Sequence, residues 1–318
     1  MSARGWALLA VVTLCPVAIA ASDSGPALTT EPAPARLIPV VGRGAPGDVG
    51  LTVPVAELSR WNGPATITPT TLGVVDGVLT RQLFTSTIYV RGNVTITDSK
   101  FASDDYDHIV VQGTATPGPV FSHIEIDGLR STTHNDDIGI TNSRNDEGDA
   151  GAFTLDRSHL YQLNNGARLD SNAVVTNTLI DHLSVAHGSH TDGIEIYCGS
   201  DITIDHTTID ATNPGGSDVN AAIETQGDAD SGGFCPVSNL TFSNDLFSGG
   251  TATWRLDDEK ITHVTVRNLT IVTGSYRYFA TSVVDPSHVD VWENVMLSDG
   301  TSIPTAETYG CGVDTSCR

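Results

Sequence analysis

An eight-residue unit recurs along this chain and constrains its fold more than any other feature. Each copy reads apolar, any, apolar, any, polar turn residue, any, any, apolar. Alternating apolar residues on either side of a turn predict a strand, a turn and a second strand. The clear copies are Val94–Phe101, Phe153–Leu160, Ala173–Ile180, Ile202–Ile209, Leu240–Phe247, Val264–Ile271 and Val289–Met296, and Ile124–Asp127 begins a degenerate copy.

The spacing of the copies predicts the architecture. Successive copies start 30, 29, 20, 29, 38, 24 and 25 residues apart, and no helical period separates them. Repeats of this length with strand-turn-strand content are typical of a solenoid. We therefore expect an all-β fold, a right-handed parallel β-helix of about eight coils. The alternative is an ordinary β-sandwich, which explains unequal but in-register copies less well.

The first 43 residues precede this solenoid. Residues 1–20 have an early arginine, a short apolar run and a terminal Ala-Ile-Ala, as in a secretory signal peptide. Residues 21–43 are rich in Pro, Ala, Ser and Thr and predict a flexible leader. Residues 44–318 are expected to form the β-helix domain, with a cap over 44–85 that contains a short helix at Ala56–Trp61. The expected location is extracellular, without a membrane anchor.

The cysteines fit this location. Removal of a signal peptide containing Cys15 leaves four, an even number that suggests two disulfides in an exported chain. Three pairings are open, and proximity in sequence favours Cys198–Cys235 and Cys311–Cys317. The alternative is free buried thiols.

The charge of the chain limits its partners. A formal net charge of -22 makes nucleic acid an unsuitable partner, because phosphate binding needs a basic surface. The many carboxylates supply oxygen ligands for Ca²⁺, although no recognisable calcium loop is present. The metal content therefore stays open, and a monomer is expected.

Most coils contain a further strand, and stacking these strands predicts a column of outward side chains about 4.8 Å apart. The strands are His108–Gly113, Asp137–Ser143, Gly166–Ser171, Gly193–Cys198, Ala222–Gly227 and Thr253–Asp258, and the column is Val110, Gly139, Arg168, Glu195, Glu224 and Arg255. Two like charges on adjacent coils cost stability and raise one pKa, as at many functional sites. The alternative is a solvated ladder of ion pairs, worth about 0–1 kcal/mol per exposed pair.

Polar residues surround this column and predict a groove that a sugar polymer would occupy. The stretch His190–Ile196 places His190 and Asp192 at the mouth of a strand, and the stretch His134–Ile140 has the same layout with His134 and Asp136. Tyr197 follows Glu195 on the outward face. The histidines are equally explained as turn residues. Arg277 and Tyr278 are candidates to bind a carboxylate or a sugar face, or to pack against the end of the solenoid.

Two chemistries fit these residues. In glycoside hydrolysis, one carboxylic acid protonates the glycosidic oxygen and a second carboxylate activates water or attacks the sugar. Asp192, Glu195 and Glu224 offer such a pair. In elimination from a uronic acid, a cation neutralises the substrate carboxylate and a base removes a proton. Arg168, Arg255 and His190 suit that reaction, with Ca²⁺ as an optional cofactor.

From Gly44 to Pro304 the chain resembles secreted single-domain parallel β-helix proteins of actinobacteria, a pectate-lyase-like group. The similar stretches include GAPGDVGLTVP, GSHTDGIEI, GSDITIDHTTID and PVSNLTFSNDLFSGG. His190–Ile196 is also similar to the Asn-Thr-Asp-Gly motif of polygalacturonases, and this resemblance implies a catalytic role for Asp192. The paired aspartates and the Gly-His-Gly motif of that family are replaced by Asn220-Ala221 and Gly249-Gly250-Thr251.

These observations predict a secreted enzyme that cleaves a polysaccharide. A lyase acting on a uronic-acid-containing glycan is slightly favoured, because arginines flank the acidic pair and most of the hydrolase motif is missing. A glycoside hydrolase is the first alternative. The second is a glycan-binding or cell-surface β-helix protein without catalysis.

Overall fold

Three long parallel sheets wind around a common interior in the computed structural model of this chain. The structure describes residues 49–73, 77–113, 117–129, 137–142, 151–185, 190–212, 219–225, 236–256, 261–283, 285–305 and 308–309. All of them belong to one compact unit, Val41–Arg318. The predicted signal peptide and leader lie outside the described residues, as do His134, Asp136, Cys235, Cys311 and Cys317.

Each coil contributes one strand to each sheet, in the repeating order of sheet B, sheet C and sheet A. Sheet A contains β1 Ser59–Arg60, β4 Gln82–Phe84, β7 Lys100–Ala102, β10 Glu125–Asp127, β13 His159–Tyr161, β16 Leu179–Asp181, β19 Thr208–Ala211, β22 Leu246–Gly249, β25 Thr270–Ile271 and β28 Met296–Leu297. Sheet B contains β2 Thr66–Ile67, β5 Ile88–Arg91, β8 Asp107–Gln112, β11 Ile138–Thr141, β14 Asn165–Leu169, β17 Asp192–Ile196, β20 Ala221–Thr225, β23 Ala252–Leu256, β26 Phe279–Val283 and β29 Thr308–Tyr309. Sheet C contains β3 Val78–Thr80, β6 Thr95–Thr97, β9 Val120–Ser122, β12 Phe153–Asp156, β15 Ala173–Thr176, β18 Gly199–Asp205, β21 Val237–Ser243, β24 Ile261–Arg267 and β27 Val289–Glu293.

The prediction of a right-handed parallel β-helix is confirmed. Neighbouring strands pair in parallel throughout the described part of the chain, except that β29 pairs antiparallel with β26 at the end of sheet B. The number of coils is larger than the predicted eight, because the described strands number ten in sheets A and B. An early coil escaped the pattern because Gly77 occupies the first apolar position of the unit that contains β3 and β4.

The region predicted as a cap is partly solenoid. Strands β1 to β4 already pair within the three sheets, so the coils begin near Ser59. The predicted helix at Ala56–Trp61 is wrong: a single 3-10 turn spans Val55–Glu57 and β1 follows it. The described α-helix, α1, instead covers Pro69–Leu72, where Thr68 caps the first turn by accepting a hydrogen bond from the Thr71 amide.

The eight-residue unit is the corner between sheets C and A. Its polar turn residue adopts the left-handed conformation, with φ of 48° at Asp98, 49° at Asn177 and 54° at Asn268. Asn and Asp tolerate this conformation better than other residues with a Cβ atom. The degenerate copy was assigned to the wrong start. His123 is its left-handed residue, so the copy begins at Pro119 and Ile124 lies in its second half.

A buried hydroxyl follows the turn residue in several coils and satisfies the backbone there. Ser99, Ser158, Thr178 and Thr207 are each almost inaccessible to solvent. Each donates to the carbonyl two residues earlier, at 2.8, 2.9, 2.8 and 3.2 Å respectively. The corner therefore buries its polar groups as hydrogen-bonded pairs, as a closely packed interior requires.

The apolar positions of all three sheets fill the interior. Phe84 and Phe101 stack with ring centres 4.4 Å apart, and Trp254 packs between Phe242 and Trp292 at 5.2 and 5.5 Å. Trp254 is completely buried. Within the described residues, no helix is both long and apolar enough to cross a membrane.

An asparagine ladder at the corner allows a test of the turn conformation. The Asn268 amide donates to Asn244 at 2.9 Å and accepts from Asn294 at 3.0 Å. Asn268→Ala should lower the free energy of unfolding by about 1–2 kcal/mol, because it adds backbone strain and removes exposed hydrogen bonds. Asn268→Gly keeps the backbone unstrained and should lose less. Urea denaturation measures both values, and equal losses would contradict a role for the left-handed turn.

Candidate functional site

Adjacent strands of sheet B bring the predicted charges together. Backbone register pairs Arg168 with Glu195, Glu195 with Glu224, and Glu224 with Arg255. The column is therefore correct over four consecutive coils, β14, β17, β20 and β23. In β11 it is wrong: Thr141, and not Gly139, pairs with Arg168.

The error in β11 has a structural reason that also explains a glycine in β17. A Cβ atom at Gly139 would lie 2.8 Å from Leu163 Cδ1, and one at Gly193 would lie 2.3 Å from Ile209 Cγ2. Both positions thus face the interior, and the next residue, Ile140 or Ile194, is also in the core. Two consecutive inward residues break the alternation on which the column was based.

The same break changes the alignment of the strand mouths. Ile138 pairs with Asn165, which precedes Asp192 by one coil, so Ile138 occupies the position that Asp136 was expected to occupy. In β17 the break turns Asp192 towards the outward face, where its carboxyl group forms a hydrogen bond with Glu224.

Glu195 is held by three side chains. Arg168 Nε donates to Glu195 Oε2 at 2.9 Å, and Asn165 Nδ2 donates to the same oxygen at 3.2 Å. The hydroxyl of Tyr197 donates to Oε1 at 3.2 Å. The Arg168 guanidinium also lies 5.2 Å from the centre of the Tyr197 ring. Tyr197 thus contacts the site, as the sequence predicted, and helps to fix the ion pair.

Asp192 and Glu224 form the second half of the cluster, together with Asn220 and Arg255. Arg255 Nη1 lies 3.1 Å from Glu224 Oε1 and donates to Asn220 Oδ1 at 2.9 Å. Asn220 Nδ2 donates to Asp192 Oδ1 at 3.1 Å. Because Asp192 bonds in turn to Glu224, the four side chains close a ring of hydrogen bonds. We call Asp192, Glu195 and Glu224 the carboxyl cluster.

The electrostatics of the carboxyl cluster differ from those of exposed acids. Burial raises the pKa of Asp192 well above its usual value, and the neighbouring Glu224 and Glu195 raise it further, against the opposing effect of Arg255. Burial also raises the pKa of Glu195, and its ion pair with Arg168 counteracts this. Desolvation and like charges both favour neutral carboxyl groups. Burial and like charges thus both favour the protonated form of Asp192.

The cluster is enclosed, in contrast to the open groove that the sequence suggested. Asp192, Glu224 and Glu195 are 0%, 1% and 4% exposed. The side chains of Arg168 and Arg255 are 14% and 28% exposed, so the arginines extend from the carboxyl groups to the surface. A solvated ladder of ion pairs is thereby excluded as a description, because these charges are buried.

Other predicted residues lie apart from the cluster. His190 is exposed at the mouth of β17, and Arg277 and Tyr278 are exposed just before β26. Cys198 is buried, while the other three cysteines of the predicted disulfides lie outside the described residues. Within the described part of the chain, no group of three His, Cys, Asp or Glu side chains is arranged to hold a metal ion. The Ca²⁺ expectation stays a prediction.

Sequence reasoning missed the roles of Asn165 and Asn220. Asn165 Oδ1 accepts from the Asp192 amide at 2.9 Å while its Nδ2 donates to Glu195. Asn220 joins Arg255 to Asp192 in the same two-sided manner. Both asparagines lie at or just before the start of a strand of sheet B, and Asn220 replaces an aspartate of the polygalacturonase motif. Both positions are therefore visible in the sequence, but their side chains bridge other residues through amide groups, whereas the predicted column rests on charged residues.

A second polar cluster on sheet A was also missed. Lys100 Nζ lies 2.9 Å from Asp127 Oδ2 and donates to the Tyr161 hydroxyl oxygen at 2.9 Å. The same amine lies 3.6 Å from Glu125 Oε2. These residues lie on the successive strands β7, β10 and β13, so the amine neutralises acids on the next coil. The arrangement stabilises the stacking of three coils.

The comparisons with known proteins agree with the fold. No protein-family model matches this chain, and no curated protein matches it. A solved structure is similar: the tailspike protein gp49 of the Acinetobacter baumannii bacteriophage Fri1, a capsular polysaccharide depolymerase, with a TM-score of 0.50 and 12% identity. The match covers 74% of this chain and 53% of the tailspike, so the chain spans about half of that protein. At this identity the likeness establishes a shared fold.

The raised pKa of Asp192 predicts a pH-dependent stability. Below about pH 4 the residue is protonated in both the folded and the unfolded chain. As the pH rises, the unfolded chain releases the proton before the folded chain does, so the free energy of unfolding falls until the folded pKa is passed. Asp192→Asn keeps a neutral side chain at every pH. Its Tm relative to the native protein should therefore increase as the pH rises above about 4 and become constant once the folded pKa is passed.

Thermal unfolding across that pH range measures the difference. Asp201→Asn is the matched control, because Asp201 is an exposed aspartate on sheet C whose partners, Ser200 and Asn239, do not titrate. If the Tm difference for Asp192→Asn stays constant from pH 4 to pH 8, Asp192 does not retain its proton in the folded protein.

Proposed function

We propose that this protein is a polysaccharide-cleaving enzyme in which Asp192 and Glu224 carry out the chemistry. One observation supports this above all: a fully buried aspartic acid hydrogen-bonds to a glutamate that is itself paired with an arginine. Two carboxyl groups with different environments are the usual basis of acid–base catalysis. The similar tailspike is described as a polysaccharide depolymerase, which supports a glycan as the substrate class.

The two carboxyl groups have separate roles in this proposal. Asp192, whose pKa is raised by burial, donates its proton to the glycosidic oxygen. Glu224, whose charge Arg255 stabilises, is the second carboxylate that activates water or attacks the sugar. In the resting structure Asp192 and Glu224 share a hydrogen bond, so the two groups must separate to about 5 Å or more when the glycosidic oxygen replaces Glu224 as the acceptor.

The pairing of the arginines counts against the lyase reaction that the sequence favours. A lyase needs a cation for the substrate carboxylate, but Arg168 and Arg255 already pair with Glu195 and Glu224. The expected base, His190, is exposed at the strand mouth. A net charge of -22 also disfavours approach of a polyanionic substrate. We therefore propose a glycoside hydrolase, with elimination as an outcome that the assay distinguishes.

A glycan-binding protein without catalysis is the second candidate. The burial of all three carboxyl groups favours it, because a catalytic acid must reach its substrate. In that case the cluster would only stabilise the stacking of β14, β17, β20 and β23. The two candidates differ in whether any polysaccharide is cut.

A panel of polysaccharides separates these functions. The purified protein is incubated with polygalacturonate, alginate, xylan and a bacterial capsular polysaccharide, with and without Ca²⁺. Reducing ends and the ultraviolet absorbance of unsaturated products are read together. We expect reducing ends alone to rise. A rise of both signals would indicate elimination, and retention on a glycan column without cleavage would indicate a binding protein.

Variants then test the assignment of residues. Asp192→Asn and Glu224→Gln should each lower kcat by about a hundredfold to ten-thousandfold, since each removes an acid or base from the reaction. Glu293→Gln is the matched control, because Glu293 pairs with Arg267 at 3.1 Å on the exposed face of sheet C. Full activity of both cluster variants would show that cleavage occurs elsewhere on the protein.

A further inference from the structure

Two exposed tyrosines are aligned with the carboxyl cluster. Among the residues that the structure describes, large hydrophobic side chains with high exposure are Val55, Val78, Tyr106, Leu129 and Tyr278. The two aromatic members are similarly accessible, with Tyr106 at 38% and Tyr278 at 37%. Exposure of an aromatic ring is costly in water and is common where a partner binds. Their positions in the solenoid are related.

Both tyrosines occupy the same row of backbone positions, immediately before a strand of sheet B. Asp107 pairs with Ile138 and Ile138 with Asn165, which places Tyr106 in line with Asn164. At the other end, Tyr278 donates its amide to Thr251 O at 2.8 Å, and Thr251 donates to Asn220 O at 2.9 Å. The full row is Tyr106, Asp137, Asn164, Thr191, Asn220, Thr251 and Tyr278.

The cluster lies at the middle of this row. Thr191 precedes Asp192 directly, with β8, β11 and β14 on one side and β20, β23 and β26 on the other. Each tyrosine is therefore three coils from Asp192, about 14 Å at the usual strand spacing. A polymer of several sugar residues that runs parallel to the solenoid axis would pass both tyrosines and the coils that contain the cluster.

Tyr278 also has an arginine as a neighbour. The Arg277 guanidinium lies 5.1 Å from the centre of the Tyr278 ring. An aromatic ring offers a flat apolar face to the C–H groups of a sugar, and the phenol and guanidinium offer hydrogen bonds to its hydroxyl groups. Both ends of the row thus present an exposed phenol ring.

We propose that Tyr106 and Tyr278 are two sugar-binding platforms that hold an extended glycan along the solenoid axis, on opposite sides of the Asp192–Glu224 pair. This inference rests on the proposed function, because it takes that pair as the point of cleavage. Binding on both sides of the reacting bond positions an internal bond of the polymer. The enzyme is therefore an endo-acting one that requires a substrate longer than the distance between the two platforms.

Binding is tested first, independently of cleavage. Affinity electrophoresis is run through gels that contain polygalacturonate, alginate, xylan or the capsular polysaccharide, with Asp192→Asn as the starting protein. Tyr106→Ala and Tyr278→Ala should each weaken retention about threefold to tenfold, and the double variant should lose more. Val78→Ala, an exposed apolar residue on sheet C, is the control and should not change retention. Tm values show that each variant is folded.

Cleavage is tested next, on the polysaccharide that the native protein cuts. Tyr278→Ala should raise KM for the polymer and leave kcat nearly unchanged, and Tyr278→Phe should restore KM. Oligosaccharides too short to reach both platforms should not be cut. Unchanged KM and retention in the double variant would overturn the platforms while leaving the cleavage centre intact. Tyrosine-dependent retention with no cleavage would instead overturn the proposed function alone.

Discussion

Parallel stacking in register is the constraint on which the rest of this structure depends. Each coil places its residues directly above those of the coil before, about 4.8 Å away. Each side chain in a column is therefore next to the side chains at the same position in the coils on either side. The adjacent Glu195 and Glu224 are tolerated because Arg168 lies on one side of them and Arg255 on the other. Lys100 has the same role among the acids of sheet A.

The sequence predicts the solenoid well because its corner is a local structure. Alternating apolar residues and a left-handed polar residue are sufficient to locate seven corners between sheets C and A. The pattern fails where one of its apolar positions contains a residue that does not match it. Gly77 and Pro119 stand at apolar positions, and the corresponding coil was missed in one case and misaligned in the other. The number of coils predicted from the sequence therefore depends on recognising these poorly matching copies of the unit.

The sequence also predicts part of the candidate site, because that part depends on the register of the strands. The order Arg168, Glu195, Glu224, Arg255 follows from register alone, and the structure has it. The inward orientation of Gly139 and Gly193 could not be predicted from a two-residue period, because the side chains that exclude a Cβ atom at each glycine belong to a different strand or loop. The hydrogen bond between Asp192 and Glu224 and the hydrogen bonds of the Asn165 and Asn220 side chains depend on that orientation. The burial of the cluster depends on the packed coils and has no local sequence signal.

The reversed strand at the end of sheet B has a consequence for assembly. A parallel solenoid exposes unpaired backbone groups on its last coil, and these groups invite another chain to continue the sheet. In this protein β29 runs antiparallel against β26, with Thr308 beside Ser282 and Tyr309 beside Thr281. Strand β29 covers the backbone groups of two residues of β26 with which another chain could otherwise pair.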